Sequence, residues 1–98
     1  MFSFHVGDRV ETVHEITDQY KMPAGLTGTI TYIDEYDLIK AQSDSEIYPI
    51  TVEFDTEFYN GERYDTEGHM HPSELTVIQR ENDENLDQID FGSIISSL

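Results

Sequence analysis

The sequence contains no cysteine and only five basic residues. Without cysteine the chain has no disulfide framework and no thiolate to serve as a nucleophile or metal ligand. No apolar run approaches the roughly 20 residues that a membrane span requires. The first ten residues contain neither a basic n-region nor an apolar h-region, so no signal peptide is expected. Together these absences predict a soluble, cytoplasmic protein.

The shortage of basic residues leaves the charge of the chain strongly one-sided. Twenty-one acidic residues against five basic ones give a formal net charge of −16 at pH 7. This charge opposes direct binding to DNA, RNA or an anionic membrane, and it favours a basic protein as the partner. Solubility alone and adaptation to high salt are two further interpretations of the acidity.

Residues 48–55, YPITVEFD, form the clearest pattern in the chain, which at 98 residues is long enough for one domain. Tyr48, Ile50, Val52 and Phe54 alternate with polar residues, which is the period of a strand with one buried face. Shorter strands are predicted over residues 9–14, 29–33 and 75–79. The fold class indicated is therefore all-β.

Turn signals separate the predicted strands. Gly25 and Gly28 bracket the entry of the second strand, and Asn60-Gly61 predicts a short hairpin in which Phe58 and Tyr64 face each other. Residues 34–47 form a polar connection, whose apolar residues fit an extension of the preceding strand. Residues 71–74 predict a single helical turn.

The order of these signals resembles the SH3-like barrel, and in particular the family of photosystem I reaction-centre proteins that have this fold, together with their accessory-protein relatives. The resemblance covers residues 5–79. It rests on a glycine-led first strand, a G-x-x-G-T-I/V strand, a YP-I/V-x-V-x-F strand and a closing D/E-E-L-x-x-V/I element, matched here at residues 6–10, 25–30, 48–54 and 73–78.

This resemblance implies a small, strongly bent barrel of five short antiparallel strands. The family docks acidic electron carriers through basic residues, whereas this chain has many carboxylates and few cations. The resemblance therefore supplies a fold for residues 1–79 and no binding residues.

Residues 80–98 have a different composition and are predicted to be an acidic tail. The segment 80–90 is acidic and turn-rich, and the segment 91–98 is apolar. Phe91, Ile94, Ile95 and Leu98 have the spacing of one helical stripe, so a short helix is predicted. Three roles remain open for this tail: docking on its own barrel, pairing with a second copy as a homodimer, or folding onto a partner.

No residue pattern singles out a catalytic centre. His69 and His71 have the i, i+2 spacing of one strand face, but zinc needs three or four ligands. The chain has no nucleophile elbow and no phosphate-binding glycine loop. We therefore expect a non-catalytic protein without a metal or cofactor, and the alternative of an enzyme or metal protein depends on the two histidines.

Carboxylates and aromatic side chains are the candidate partner-binding groups. Acidic residues recur along residues 53–67 and 81–90, and such rows on a rigid barrel would imitate the phosphates of DNA. Aromatic loop residues would grip an extended peptide. The candidate partner-binding residues are Glu53, Asp55, Glu57, Glu62, Asp65, Glu67, Glu81, Asp83, Glu84, Asp87, Asp90, Tyr59, Tyr64 and Phe91.

The leading functional hypothesis is a small acidic protein that binds a basic, nucleic-acid-binding protein and inhibits it by nucleic-acid mimicry. Small phage or mobile-element proteins act in this way by general analogy. The alternative is an accessory or adaptor subunit that docks on a larger complex through its barrel and its C-terminal segment. A solvated acidic face without a partner is the third interpretation.

Overall fold

The computed structural model describes residues 3–17 and 20–80. These residues form one antiparallel sheet of five strands in the order β4-β3-β2-β1-β5, with one short helix. The elements are β1 (Arg9–Thr12), β2 (Thr27–Ile33), α1 (Glu35–Lys40), β3 (Ile50–Tyr59), β4 (Tyr64–Met70), a 3-10 turn (Pro72–Glu74) and β5 (Leu75–Gln79). The prediction of a mostly β chain with five antiparallel strands is confirmed, but closure of the sheet into a barrel is not found in the described residues.

The alternation in β3 places one side of this strand in the core. Ile50, Val52 and Phe54 are buried, while Glu53 and Asp55 are exposed. β3 begins at Ile50 and continues past the predicted end to Tyr59. The rest of the core comprises Val10, Ile16, Tyr20, Met22, Ile30, Phe58, Met70 and Leu75.

The hairpin between β3 and β4 turns at Asn60-Gly61, as the sequence predicts. The Asn60 side-chain oxygen accepts hydrogen bonds from the backbone N–H groups of Glu62 and Arg63, each at 2.9 Å. Gly61 has a φ of 103°, a conformation that favours glycine. The predicted pairing of Phe58 with Tyr64 is wrong, because the register places Tyr59 opposite Tyr64.

The segment after β2 is a helix and does not extend the strand. The Asp34 side chain accepts a hydrogen bond from the backbone N–H of Asp37 at 3.1 Å and so caps the N-terminus of α1. Leu38 packs against the core, whereas Tyr36 and Ile39 are exposed. A capped turn with one inward residue is therefore more stable here than continued pairing with the sheet.

The loop between β1 and β2 is fastened beside the hairpin. Thr12 is buried, and its hydroxyl donates to the Pro23 carbonyl at 2.8 Å and accepts from the Leu26 N–H at 2.9 Å. The Tyr20 hydroxyl accepts from the backbone N–H of His69 in β4, also at 2.9 Å. These contacts hold the loop against the outer end of the β3–β4 hairpin.

Candidate functional site

Six of the candidate carboxylates lie on the β3–β4 hairpin, which fixes their spacing. They are Glu53, Asp55 and Glu57 on β3, Glu62 in the turn, and Asp65 and Glu67 on β4. The other candidates, Glu81, Asp83, Glu84, Asp87, Asp90 and Phe91, lie outside the described residues.

Glu53 and Glu67 are directly opposite each other across the two strands. Both side chains are exposed, and the hydroxyl of Thr66 donates to Oε2 of Glu53 at 2.6 Å. Like charges at opposite positions of an antiparallel pair destabilise the sheet. No salt bridge within the described residues neutralises either carboxylate. The pair is therefore a fixed, uncompensated site of negative charge.

Asp55 differs from this pair because its charge is already compensated inside the chain. Arg9 donates to both of its carboxylate oxygens, at 2.9 Å and 2.6 Å, and the hydroxyl of Thr27 donates at 2.7 Å. The hydrogen bond from Arg9, followed by that from Thr27, lowers the pKa of Asp55 to about 2. Asp55 therefore serves the sheet first, and no local sequence pattern indicates that Arg9 is its partner.

Asp65 is also held by local hydrogen bonds. Its Oδ1 accepts from the backbone N–H groups of Glu67 at 3.3 Å and Thr66 at 2.7 Å, and these bonds lower the pKa of the carboxyl group. Arg63 lies 3.8 Å away, and its side chain is mostly exposed, so this ion pair is weak.

The two candidate tyrosines form one wall of a groove at the outer end of the hairpin. The rings of Tyr59 and Tyr64 meet edge to face, with centroids 5.5 Å apart. This tyrosine groove has a volume of about 500 Å³, and its lining also includes Lys21, Pro23, Glu57 and the core residue Phe58. The Lys21 N–H donates to the Tyr59 carbonyl at 2.9 Å, which places the loop residues at the rim. Sequence reasoning missed Lys21 and Pro23, because only the bridge to β3 brings them here.

The two histidines that raised the alternative of a metal site are held separately. His69 is exposed and contacts the Thr51 hydroxyl at 3.2 Å. His71 is buried: its Nδ1 accepts from the Ser73 N–H at 3.0 Å, and its Nε2 contacts the Ala41 carbonyl at 3.0 Å. In residues 3–17 and 20–80, no group of three or more His, Cys, Asp or Glu residues is placed to hold a metal ion.

Comparison of the chain with known protein families, with curated proteins and with solved structures finds no match. Within the described part of the chain, no helix has the length and apolar character needed to cross a membrane. The functional interpretation therefore depends on the geometry of the hairpin.

Proposed function

We propose that this chain is a non-catalytic binding protein that engages a basic protein through the exposed side of the β3–β4 hairpin. The observation that carries the proposal is the opposed pair of Glu53 and Glu67. A carboxylate pair on a paired ladder keeps its spacing, so a cation that binds between the two groups pays no cost for ordering the backbone. Binding would also relieve the repulsion between them.

The tyrosine groove supplies the second contact in this proposal. Tyr64 is 66% exposed, so its ring is accessible to a partner. The guanidinium of an arginine binds well over the face of a tyrosine ring. Glu57, at the rim of the same groove, offers a carboxylate to the same cation. The groove and the Glu53–Glu67 pair together fit a segment that carries several basic side chains.

We propose further that the partner is a nucleic-acid-binding protein and that the chain inhibits it by nucleic-acid mimicry. Exposed residues two apart on a strand are separated by about 6.7 Å, so β3 presents negative charge at regular intervals. The attraction is electrostatic and is screened by salt, with a Debye length of about 8 Å at physiological ionic strength. Affinity for the partner should therefore fall steeply as salt is added.

The proposed scaffold for this surface is an SH3-like barrel. The order β4-β3-β2-β1-β5 supports it, because the last strand pairs with the first, and the 3-10 turn immediately precedes that strand. The resemblance to the photosystem I reaction-centre family remains a prediction. So does the accessory-subunit alternative, which depends on a C-terminal segment outside the described residues.

Capture from a cell lysate tests the proposal. The wild-type chain and a Glu53→Gln/Glu67→Gln variant serve as baits at low and high salt, with nuclease present. We expect the wild type alone to retain a basic protein at low salt and to release it at high salt or on addition of duplex DNA. Retention of no basic protein at low salt would contradict the proposal, and retention that DNA does not affect would contradict the mimicry.

A further inference from the structure

The two edge strands of the sheet differ in how they are protected. On β4, the N–H of His69 donates to the Tyr20 hydroxyl, and the N–H of Glu67 donates to the Asp65 side chain. The strand also carries the charges of Asp65 and Glu67. Occupied N–H groups and charged side chains are what native proteins use to block an edge. β4 is therefore closed to further pairing.

β5, at the opposite edge, lacks charged side chains of this kind. Its sequence, LTVIQ, contains no charged residue, and Ile78 is 47% exposed. A groove of about 580 Å³, the β5 groove, lies against this strand. Its lining includes the apolar side chains of Phe4, Val13, Leu75 and Val77.

The β5 groove also differs from the other grooves in charge. Among the described residues, no carboxylate lines it, whereas the tyrosine groove contains Glu57 and a groove against α1 contains Glu35. The one charged side chain that these residues contribute to its lining is Arg80. On a chain of net charge −16, this is the surface best suited to an uncharged apolar ligand.

We propose that residues 91–98 of the same chain occupy the β5 groove. This segment contains no charged side chain, and its apolar residues Phe91, Ile94, Ile95 and Leu98 fall on one side of a helical turn. An apolar stripe and an acid-free apolar groove are complementary. This inference is independent of the proposed binding of a basic protein.

The position of Arg80 brings the segment within reach. Arg80 donates to the buried carboxylate of Asp8 at 3.0 Å and to the Ser3 carbonyl at 3.0 Å. Residue 81 therefore starts at the end of the groove. The ten residues from 81 to 90 span up to about 33 Å, roughly twice the length of a five-residue strand. The connection is long enough to turn back along β5, and it gives the segment a high effective concentration.

A second copy of the chain is a weaker occupant of the same groove. Two chains of net charge −16 repel each other, whereas the tethered segment brings no charged side chain of its own to the groove. Docking within one chain and docking between chains also differ in which molecule carries the contact, so labelling separates them.

Paramagnetic relaxation in the full chain tests the proposal. Since the chain has no cysteine, Ser97→Cys creates a single attachment point for a nitroxide label. We expect broadening of the amide signals of Thr76 and Val77 on β5 and none at Glu67 on β4. Adding Ile94→Asp and Ile95→Asp to the labelled chain should abolish the broadening.

A mixture of labelled chains with unlabelled, isotope-enriched chains completes the test. Docking within one chain predicts no broadening in the enriched chains. Broadening there would assign the groove to a second copy and overturn the proposal. Equal broadening of both edge strands, or none at β5 in the labelled chain, would also overturn it. None of these outcomes depends on whether the hairpin binds a basic partner.

Discussion

Arg9 on β1 and Asp55 on β3 form a two-pronged ion pair across the intervening strand β2. Their hydrogen bonds measure 2.9 Å and 2.6 Å and join residues 46 positions apart in sequence. β2 takes part as well, because Arg9 donates to the Thr29 hydroxyl at 3.0 Å and the Thr27 hydroxyl donates to Asp55 at 2.7 Å. The bridge therefore connects three strands on their polar side.

The first prediction concerns the pH dependence of this bridge. Asp55→Asn should lower the free energy of unfolding at neutral pH, because it removes a carboxylate whose pKa in the folded chain is depressed. The stabilisation is present above the ordinary pKa of 3.8 and is lost as the pH falls towards about 2. The difference between the wild type and the variant, measured by urea denaturation, should therefore shrink over that interval.

Glu62→Gln in the hairpin turn is the control for this series, because no salt bridge within the described residues involves Glu62. It should change the stability much less than Asp55→Asn at every pH. An Asp55→Asn difference that stays constant down to about pH 2 would show that the Arg9–Asp55 charge pair is not the cause.

The second prediction concerns the opposed carboxylates. Glu67→Gln should raise the free energy of unfolding by about 0.2–1 kcal/mol, because it removes a like-charge pair across the strands. Solvent exposure favours the lower end of this interval. Guanidinium denaturation has too high an ionic strength for this measurement, so urea at low salt is the suitable method. A loss of stability would mean that Glu67 makes a favourable contact that outweighs its repulsion with Glu53.

The third prediction uses two glycines on opposite sides of β3. A Cβ at Gly28 would lie 2.6 Å from the Glu53 carbonyl oxygen and 2.8 Å from Cα of Phe54, so backbone would have to move. Gly28→Ala should therefore cost about 1–3 kcal/mol. Gly68→Ala is the matched comparison, because its Cβ would meet side-chain atoms of Met22 and Phe54 at 3.1 Å. Thermal unfolding should rank Gly28→Ala as the more destabilised variant, and the reverse order would contradict the β2–β3 register.

The fourth prediction concerns the hydroxyl that covers the β4 edge. Tyr20→Phe keeps the ring packed edge to face on Phe58 but removes the acceptor of the His69 N–H. The expected loss is about 0.5–1.5 kcal/mol. Hydrogen exchange at the His69 amide should also accelerate more than exchange at core amides. Tyr64→Phe, at an exposed ring, should leave both measurements unchanged; an unprotected His69 amide in the wild type would contradict the contact.

Local patterns predicted most of the sheet. The alternation at Ile50–Phe54 and the turn residues Asn60 and Gly61 act over a few positions, so they can be read without the fold. The helix α1 was missed because Tyr36 and Leu38 also fit a strand period, and the capping residue Asp34 was the signal that favours the helix. The end of β3 was missed because the pairing is irregular between Glu53 and Phe58.

The candidate site was less predictable than the sheet. The carboxylates were identifiable as a group, but their different roles depend on residues distant in sequence. Arg9 neutralises Asp55, whereas Glu53 and Glu67 face each other without a cation within the described part of the chain. The tyrosine groove likewise requires Lys21 to bridge to Tyr59. Such pairings follow from register and loop closure, which composition does not determine.

The affinity of a fluorescent arginine-rich peptide for charge-matched variants tests the central claim most directly. Glu53→Gln/Glu67→Gln removes two charges from the hairpin, and Glu35→Gln/Glu46→Gln removes two exposed charges from α1 and the loop that follows it. Anisotropy titrations at low salt should show a clear loss of affinity for the hairpin variant and near wild-type affinity for the other. Equal losses in both variants would show that net charge alone attracts the peptide, and the claim of a hairpin site would be contradicted.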